Sequence, residues 1–348
     1  MLHSSFAPRL VAWQRRHGRH DLPWQVSDPY RVWLSEIMLQ QTQVKSVLDY
    51  YPRFLARFPD VAALAAAPVD DVLAQWSGLG YYSRARNLHK AARMVMDEFG
   101  GVFPAEREQL ERLPGVGRST AAAISAFAFG RRETILDGNV KRVLARCFGV
   151  EGFPGEKTVE KRMWALAEQI LPRDAADIGP YVQGLMDLGA TVCSRGKPAC
   201  TACPMLDGCV AARDGRTGEL PTPRPKKTVP TRQTVMLLAQ RGNQVWLRRR
   251  QPTGIWGGLL SLPEFATTFE IEDWLRAAGE GDMLPAWPEL EHVFTHFRLI
   301  ITPQPVRIDQ FRAAGVAEAD GQWLDIDQAV DAGVPAPVRR LLLRLAQV

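Results

Sequence analysis

No apolar run in the 348 residues approaches the roughly 18 that a membrane-spanning helix needs. Met1 to His20 contains no apolar stretch of the secretory-signal kind, so a reducing cytosol is the expected setting. Cysteine is scarce, five in all, and four of these fall within residues 193–209. So few thiols in a large chain make a disulfide framework a weak reading, and Cys147, alone in a helical stretch, reads as a buried structural thiol. Neither charge sign dominates: the net charge is +5 and the pI near 9.0. That excess favours a polyanionic partner, although a mildly basic surface would give the same numbers.

Against this spare background one segment stands out. Cys193, Cys200, Cys203 and Cys209 have the spacing C-x6-C-x2-C-x5-C. Four thiolates from so short a span can enclose one zinc or a cluster of iron and sulfide, and either makes the segment a site. The spacing is unlike the tight CxxC pairs of most zinc ribbons, which favours a 4Fe-4S cluster. Arg195 and Lys197, between the first two cysteines, could meet phosphate.

Length and an ordinary 46% hydrophobic content suit two domains with a core each. Residues 213–232 hold four prolines, two glycines and no apolar periodicity, the pattern of an extended basic linker. Before it, helical spacing predominates: a segment from Tyr30 to Tyr51, then Val61 to Ala67, Arg84 to Phe99, Thr120 to Phe129 and Val159 to Ile170. After it the period changes. Thr234 to Ala239 and Gln244 to Arg248 flank Arg241-Gly242-Asn243 as a hairpin, His292 to Ile301 and Gln322 to Ile326 are further strands, and Pro337 to Ala346 is a closing helix. The expected organisation is multi-domain: an all-α domain over 1–212, a linker over 213–232, and an α+β domain over 233–348.

Leu113-Pro-Gly-Val-Gly-Arg-Ser-Thr-Ala121 reads as a helix-hairpin-helix turn. Gly115 and Gly117 permit close backbone approach to a phosphate, and the amides opening the next helix point at it. A tight turn alone would need only one glycine. In Leu79-Gly-Tyr-Tyr-Ser-Arg-Ala-Arg86, aromatics and arginines follow a glycine turn and could wedge into a base stack and pair with phosphates, or simply be surface and core.

Glu36 is expected inside a helix running through Val44, on one face with Gln40 and Gln43, which suits reading base edges. Asp137, with Asn139, stands at a turn before a new helix, where an N-cap is the plain reading. One protonated and one ionised carboxylate can break a glycosidic bond. Spacing alone does not bring these two together, about 100 residues apart.

The segments SEIMLQQTQV, LPGVGRSTA and LDGNVKRVLAR, together with the four cysteines, resemble the helix-hairpin-helix base-excision DNA glycosylases. More narrowly, they resemble the MutY family of adenine DNA glycosylases over nearly the whole chain. This resemblance implies a 4Fe-4S cluster and, as substrate, adenine paired with 8-oxoguanine or guanine in double-stranded DNA, flipped out before cleavage. It implies that Glu36 protonates adenine and later helps activate water, that Asp137 stabilises the sugar cation, and that Asn139 supports the site. Trp24 and Gln183 become candidates for the adenine pocket. Gln41, Thr42, Leu79 and Tyr81 match positions that probe the opposite base, and the hairpin's Gly115, Gly117 and Ser119 match the DNA-contacting surface. A monomer in the cytoplasm, associated with a bacterial nucleoid, is the corresponding setting.

A sister family resembling endonuclease III carries a catalytic lysine where this chain has Ser119, and Schiff-base chemistry needs an amine. The chain is therefore expected to be monofunctional and to leave an abasic site. The segment Trp256-Gly-Gly-Leu-Leu-Ser-Leu-Pro-Glu-Phe265 resembles a Nudix fold but lacks the REUxEE stretch that would hold magnesium. The resemblance makes this domain an 8-oxoguanine sensor through Phe294, Thr295 and His296, with threonine where the family has serine. An iron-sulfur regulator that only binds DNA is the rival class, and a pyrimidine glycosylase the nearer rival.

Overall fold

The computed structural model describes residues 2–225, 229–251, 253–294, 296–311 and 321–347. Chain contacts divide it into two units. The first comprises Met1–Ala66 and Asn87–Lys226, the second Ala67–Arg86 and Lys227–Val348. The second unit thus includes an N-terminal segment that a division along the sequence assigns to the helical domain.

The first unit is all helical, and its elements follow from local chemistry. Pro29 opens the Pro29–Leu39 helix behind the Asp28 cap, whose carboxylate accepts from the Arg31 amide. Asp137 caps the Gly138–Phe148 helix in the same way, and Gly149, at φ 66°, ends it. The Gly138–Phe148 helix packs with Leu2–His17, Arg118–Phe129, Lys157–Gln169 and Ile178–Asp187 around Leu10, Ala123, Val140, Leu144, Tyr181 and Leu185, and the Pro29–Leu39 helix packs on Arg118–Phe129. Each of these six side chains is at most 1% exposed, which excludes water from the scaffold beneath the site.

Two expectations need correction here. The Tyr30–Tyr51 segment is two helices, Pro29–Leu39 and Val44–Arg57, because Gln41 adopts a left-handed conformation (φ 57°) that no α-helix propagates. Gln40 is a cap and Gln43 lies beyond the break, so neither shares a helical face with Glu36. The linker region is not simply extended: Arg213 ends a helix, Leu220 is 2% exposed, and its carbonyl accepts from Arg146 Nε at 2.8 Å.

The second unit is built on an eight-stranded mixed sheet with the central order β3-β2-β1-β7-β5. The strands are β1 (Thr231–Arg241), β2 (Gln244–Arg249), β3 (Leu260–Ser261), β4 (Glu264–Phe265), β5 (Gly279–Met283), β6 (Leu290–Val293), β7 (Arg298–Phe311) and β8 (Gly321–Asp325). β1 and β7 pair in parallel, and all the other pairs are antiparallel. β1 is buried on both faces, as the near-continuous apolar run Val235–Ala239 requires. Met236 and Leu238 join a core with the Ala336–Leu345 helix, while Val235, Leu237 and Ala239 join one with the Thr268–Ala278 helix. The run expected as one strand over His292–Ile301 is divided between β6, which ends at Val293, and β7, which begins at Arg298. Between them the Phe294 amide donates to the Phe297 carbonyl at 2.9 Å.

Candidate active site

Glu36 lies in the third turn of the Pro29–Leu39 helix and lines a cavity of about 580 Å³. Trp24 and Gln183 line the same cavity, so the fold gathers three sequence-derived candidates from three elements. Burial pushes the Glu36 carboxyl up to about 8, and the negative charge of Asp137 adds to the shift. The structure therefore brings the two carboxylates within electrostatic reach. Spacing could not do so.

Asp137 is differently placed. Its Oδ1 accepts from the Val140 amide at 2.8 Å, so it caps the Gly138–Phe148 helix, and it is not among the residues that line the Glu36 cavity. Burial raises its pKa, opposed by amide hydrogen bonds from Val140 and Asn139 and by the charges of Arg142 and Lys141. The two environments differ: burial and the Asp137 charge act together on Glu36, whereas amide donors and nearby cations oppose burial at Asp137.

Sequence reading missed the arginines that hold this arrangement. Arg142 Nη2 donates to Asn139 Oδ1 at 2.7 Å and to the Gly189 carbonyl at 2.8 Å, while its Nε donates to the Cys193 carbonyl at 2.8 Å. One turn on, Arg146 is 2% exposed and donates to the carbonyls of Ser194, Arg195 and Leu220. Their i, i+4 spacing in LDGNVKRVLAR was the available signal. Gly189 fits because a Cβ there would come within 2.7 Å of the Asn139 Cβ. Asp187 was missed as well: 1% exposed, it accepts from Arg19 and from Gln183 Nε2 (2.9 Å), which fixes the Gln183 amide.

Cys193, Cys200, Cys203 and Cys209 all line one further cavity, together with apolar Val143, Leu188 and others. Among the described residues no three His, Cys, Asp or Glu side chains gather as closely as a single metal ion needs. The four cysteines border one shared space with apolar walls. Cys147 is buried, 3% exposed, as its helical setting implied. Arg195 and Lys197 are exposed.

The remaining candidates divide. Gln41 is exposed and Thr42 partly buried at the break between helices. Gly115 is left-handed (φ 81°), as a tight turn demands, and its carbonyl accepts from Gln40 Nε2 at 3.2 Å. Gly117 caps the Arg118–Phe129 helix without a side-chain hydrogen bond. Ser119 is turned to structure: its hydroxyl accepts from the Leu136 amide at 3.0 Å. In the second unit Leu79 is buried and Tyr81 is 46% exposed. Of the two readings of Arg84 and Arg86, pairing with phosphates or a place in surface and core, their contacts within the protein favour the second. Arg84 is 7% exposed, and Arg86 donates to the Gly257 carbonyl. Phe294 stacks on Phe297 (4.5 Å between centroids) and meets His292 and Trp256, with exposed His296 beside it. Thr295 lies outside the described residues.

Comparison with known proteins agrees with this layout. Residues 34–169 match the model of the HhH-GPD superfamily base excision DNA repair proteins, and residues 234–344 match the NUDIX domain. The adenine DNA glycosylase of Buchnera aphidicola subsp. Acyrthosiphon pisum is 36% identical over 339 residues, covering 97% of this chain and 96% of that protein. The chain belongs to the adenine DNA glycosylase family. Its counterpart in Mus musculus is 43% identical over 227 residues, 62% of this chain and 44% of the mouse protein. A thermostable thymine-DNA glycosylase superposes with a TM-score of 0.55 at 29% identity, over 61% of this chain and 97% of that structure. Membership makes the chain a base-excision DNA glycosylase and removes the purely DNA-binding regulator. Among the described residues no helix is long and apolar enough to cross a membrane.

Proposed function

We propose that this adenine DNA glycosylase acts on adenine opposite 8-oxoguanine or guanine in duplex DNA, and that it hydrolyses the glycosidic bond without a lyase step. The observation that carries this reading is the Glu36 carboxyl, pushed up to about 8 at the wall of a cavity large enough for a flipped base, with Asp137 beside it. At neutral pH Glu36 holds a proton to deliver to the adenine ring. Asp137 carries the negative charge that an oxocarbenium-like sugar needs as the bond breaks. Water then attacks the anomeric carbon, and Glu36, having lost its proton to the base, accepts one from it. Trp24 and Gln183 supply an apolar wall and a fixed amide for the base, and Arg142 holds Asn139 in place.

The hairpin at Gly115, Gly117 and Ser119 and the exposed Arg195 and Lys197 take the phosphate backbone. Gln41, Thr42, Leu79 and Tyr81 probe the partner base. Phe294, Thr295 and His296 sense the oxidised guanine. The four cysteines fit a 4Fe-4S cluster, their thiols arranged around one apolar space. Bound there, the cluster would clamp the 193–209 loop, since glycosidic hydrolysis transfers no electrons.

The test is adenine release from duplexes carrying A opposite 8-oxoguanine, with damaged pyrimidines as the control. Glu36→Gln should bind DNA and release no adenine, and Asp137→Asn should be impaired likewise. Wild-type release of oxidised pyrimidines in preference to adenine would overturn the reading.

A further inference from the structure

Residues 77–81 are bent through three left-handed positions, Gly78 (φ 96°), Gly80 (φ 75°) and Tyr81 (φ 49°). A tyrosine held there is strained and persists only where its surroundings fix it. Those surroundings are Trp76 and Arg84. Arg84 Nη2 donates to the Leu79 carbonyl at 3.2 Å and to the Gly80 carbonyl at 3.1 Å. The Trp76 indole donates to the same Gly80 carbonyl at 3.2 Å. The guanidinium carbon stands 5.3 Å from the Trp76 ring centroid and 5.6 Å from that of Tyr81. Tyr82 closes the turn from the other side: its hydroxyl accepts from the Gly78 amide and donates to the Val334 carbonyl at 3.1 Å.

Exposure is graded across this cluster. Trp76 is 0% exposed, Arg84 7% and Tyr81 46%. Burial draws the Arg84 pKa down to about 10, so the group remains a cation at neutral pH. Carbonyls and ring faces stabilise a buried guanidinium, and this one has both. It cannot at once occupy that place and pair with a phosphate.

We propose that Arg84 is a positioning residue for mispair recognition: with Trp76 it clamps the Gly80–Tyr81 backbone and backs the Tyr81 ring, presenting the ring preformed to an unstacking base step. The proposal rests on the reading of Leu79 and Tyr81 as base-probing residues. Its physical content is preorganisation. A ring already held on a rigid turn gives up little rotamer freedom on insertion, whereas a loose one must lose it at the expense of affinity. Lysine cannot replace arginine here, because a point donor cannot bridge two carbonyls while lying against two rings.

The experiment uses the full-length chain with Tyr81→Ala, Arg84→Lys and Trp76→Phe. It measures duplex affinity, single-turnover excision at saturating enzyme, and the fluorescence of 2-aminopurine placed next to the mispair. Arg84→Lys should weaken binding roughly tenfold, as loss of charge-assisted hydrogen bonds implies. The excision rate at saturation should fall less than affinity, and the fluorescence rise that reports unstacking should shrink. Trp76→Phe, which keeps a buried ring but loses the indole donor and some ring volume, should move both readouts the same way, and it decides the matter if Arg84→Lys does not fold. Wild-type affinity and fluorescence in the Arg84 and Trp76 variants, alongside loss of both in Tyr81→Ala, would overturn the proposal. Wild-type behaviour of Tyr81→Ala would instead remove the base-probing reading on which it rests.

Discussion

The Ser119 hydroxyl accepts a hydrogen bond from the Leu136 amide at 3.0 Å, one residue ahead of Asp137. The second hairpin helix is thereby fastened to the segment that delivers the site carboxylate. Ser119→Ala should cost about 1 kcal/mol in denaturant unfolding, the usual net worth of one hydrogen bond, and should reduce excision more than DNA affinity. Because position 119 offers no amine, borohydride treatment during turnover should trap no substantial covalent adduct; an adduct as abundant as that of a lyase would contradict monofunctional hydrolysis.

The two carboxylates set opposite limbs of a pH–rate profile. Excision needs Glu36 protonated and Asp137 ionised, so the single-turnover rate should be level near neutrality. Above about 8 it should fall tenfold per pH unit as Glu36 loses its proton. An acid limb should appear as Asp137 protonates, and both limbs belong to the interacting pair. Glu36→Gln should lower the plateau by roughly 10² to 10⁴, the range of general acid catalysis. A rate that continues to rise beyond pH 9 would rule out Glu36 as the acid.

The same shift has a consequence for stability. Folded protein holds the Glu36 proton more tightly than the unfolded chain, whose carboxyl titrates near 4.5. Its contribution to stability is therefore fully present below 4.5 and is lost as pH rises through about 8. The melting temperature of Glu36→Gln should exceed that of the wild type by a margin that is small at pH 5 and grows toward pH 9. A margin independent of pH would show that the shift does not exist in solution.

Arg146 donates from full burial to three backbone carbonyls, two in the cysteine loop and one at Leu220. Arg146→Ala leaves those acceptors unpaired and opens a void, for an expected loss of roughly 3 kcal/mol. Iron content and the visible absorbance of the purified variant should drop with it, as they should for Cys200→Ser. Full iron loading with unchanged stability in Arg146→Ala would show that this residue does not hold the loop.

Much of the fold was written in the chain as short-range pattern. Helices at Ser83–Phe99, Arg118–Phe129 and Lys157–Gln169, and the β1–β2 hairpin at Gly242, lie within a few residues of where their periodicity puts them. Apolar spacing, caps and glycine turns act over a few residues and so survive in one dimension. The break at Gln41 and the division between β6 and β7 did not, because each runs against the local apolar pattern.

Residue types and motif spacing alone put four thiols in one short segment and left position 119 without an amine, while the roles expected of Glu36 and Asp137 came from the family resemblance. Only the tertiary structure supplied the burial that raises both carboxyls and brought the Asp137 charge to bear on Glu36. It also decided that Arg84 is buried behind Tyr81 rather than exposed to phosphate, and that Arg142 spans from Asn139 to Cys193. Desolvation and hydrogen bonding are set by whatever the fold brings alongside a residue. Linear sequence encodes those neighbours only through the whole of the packing.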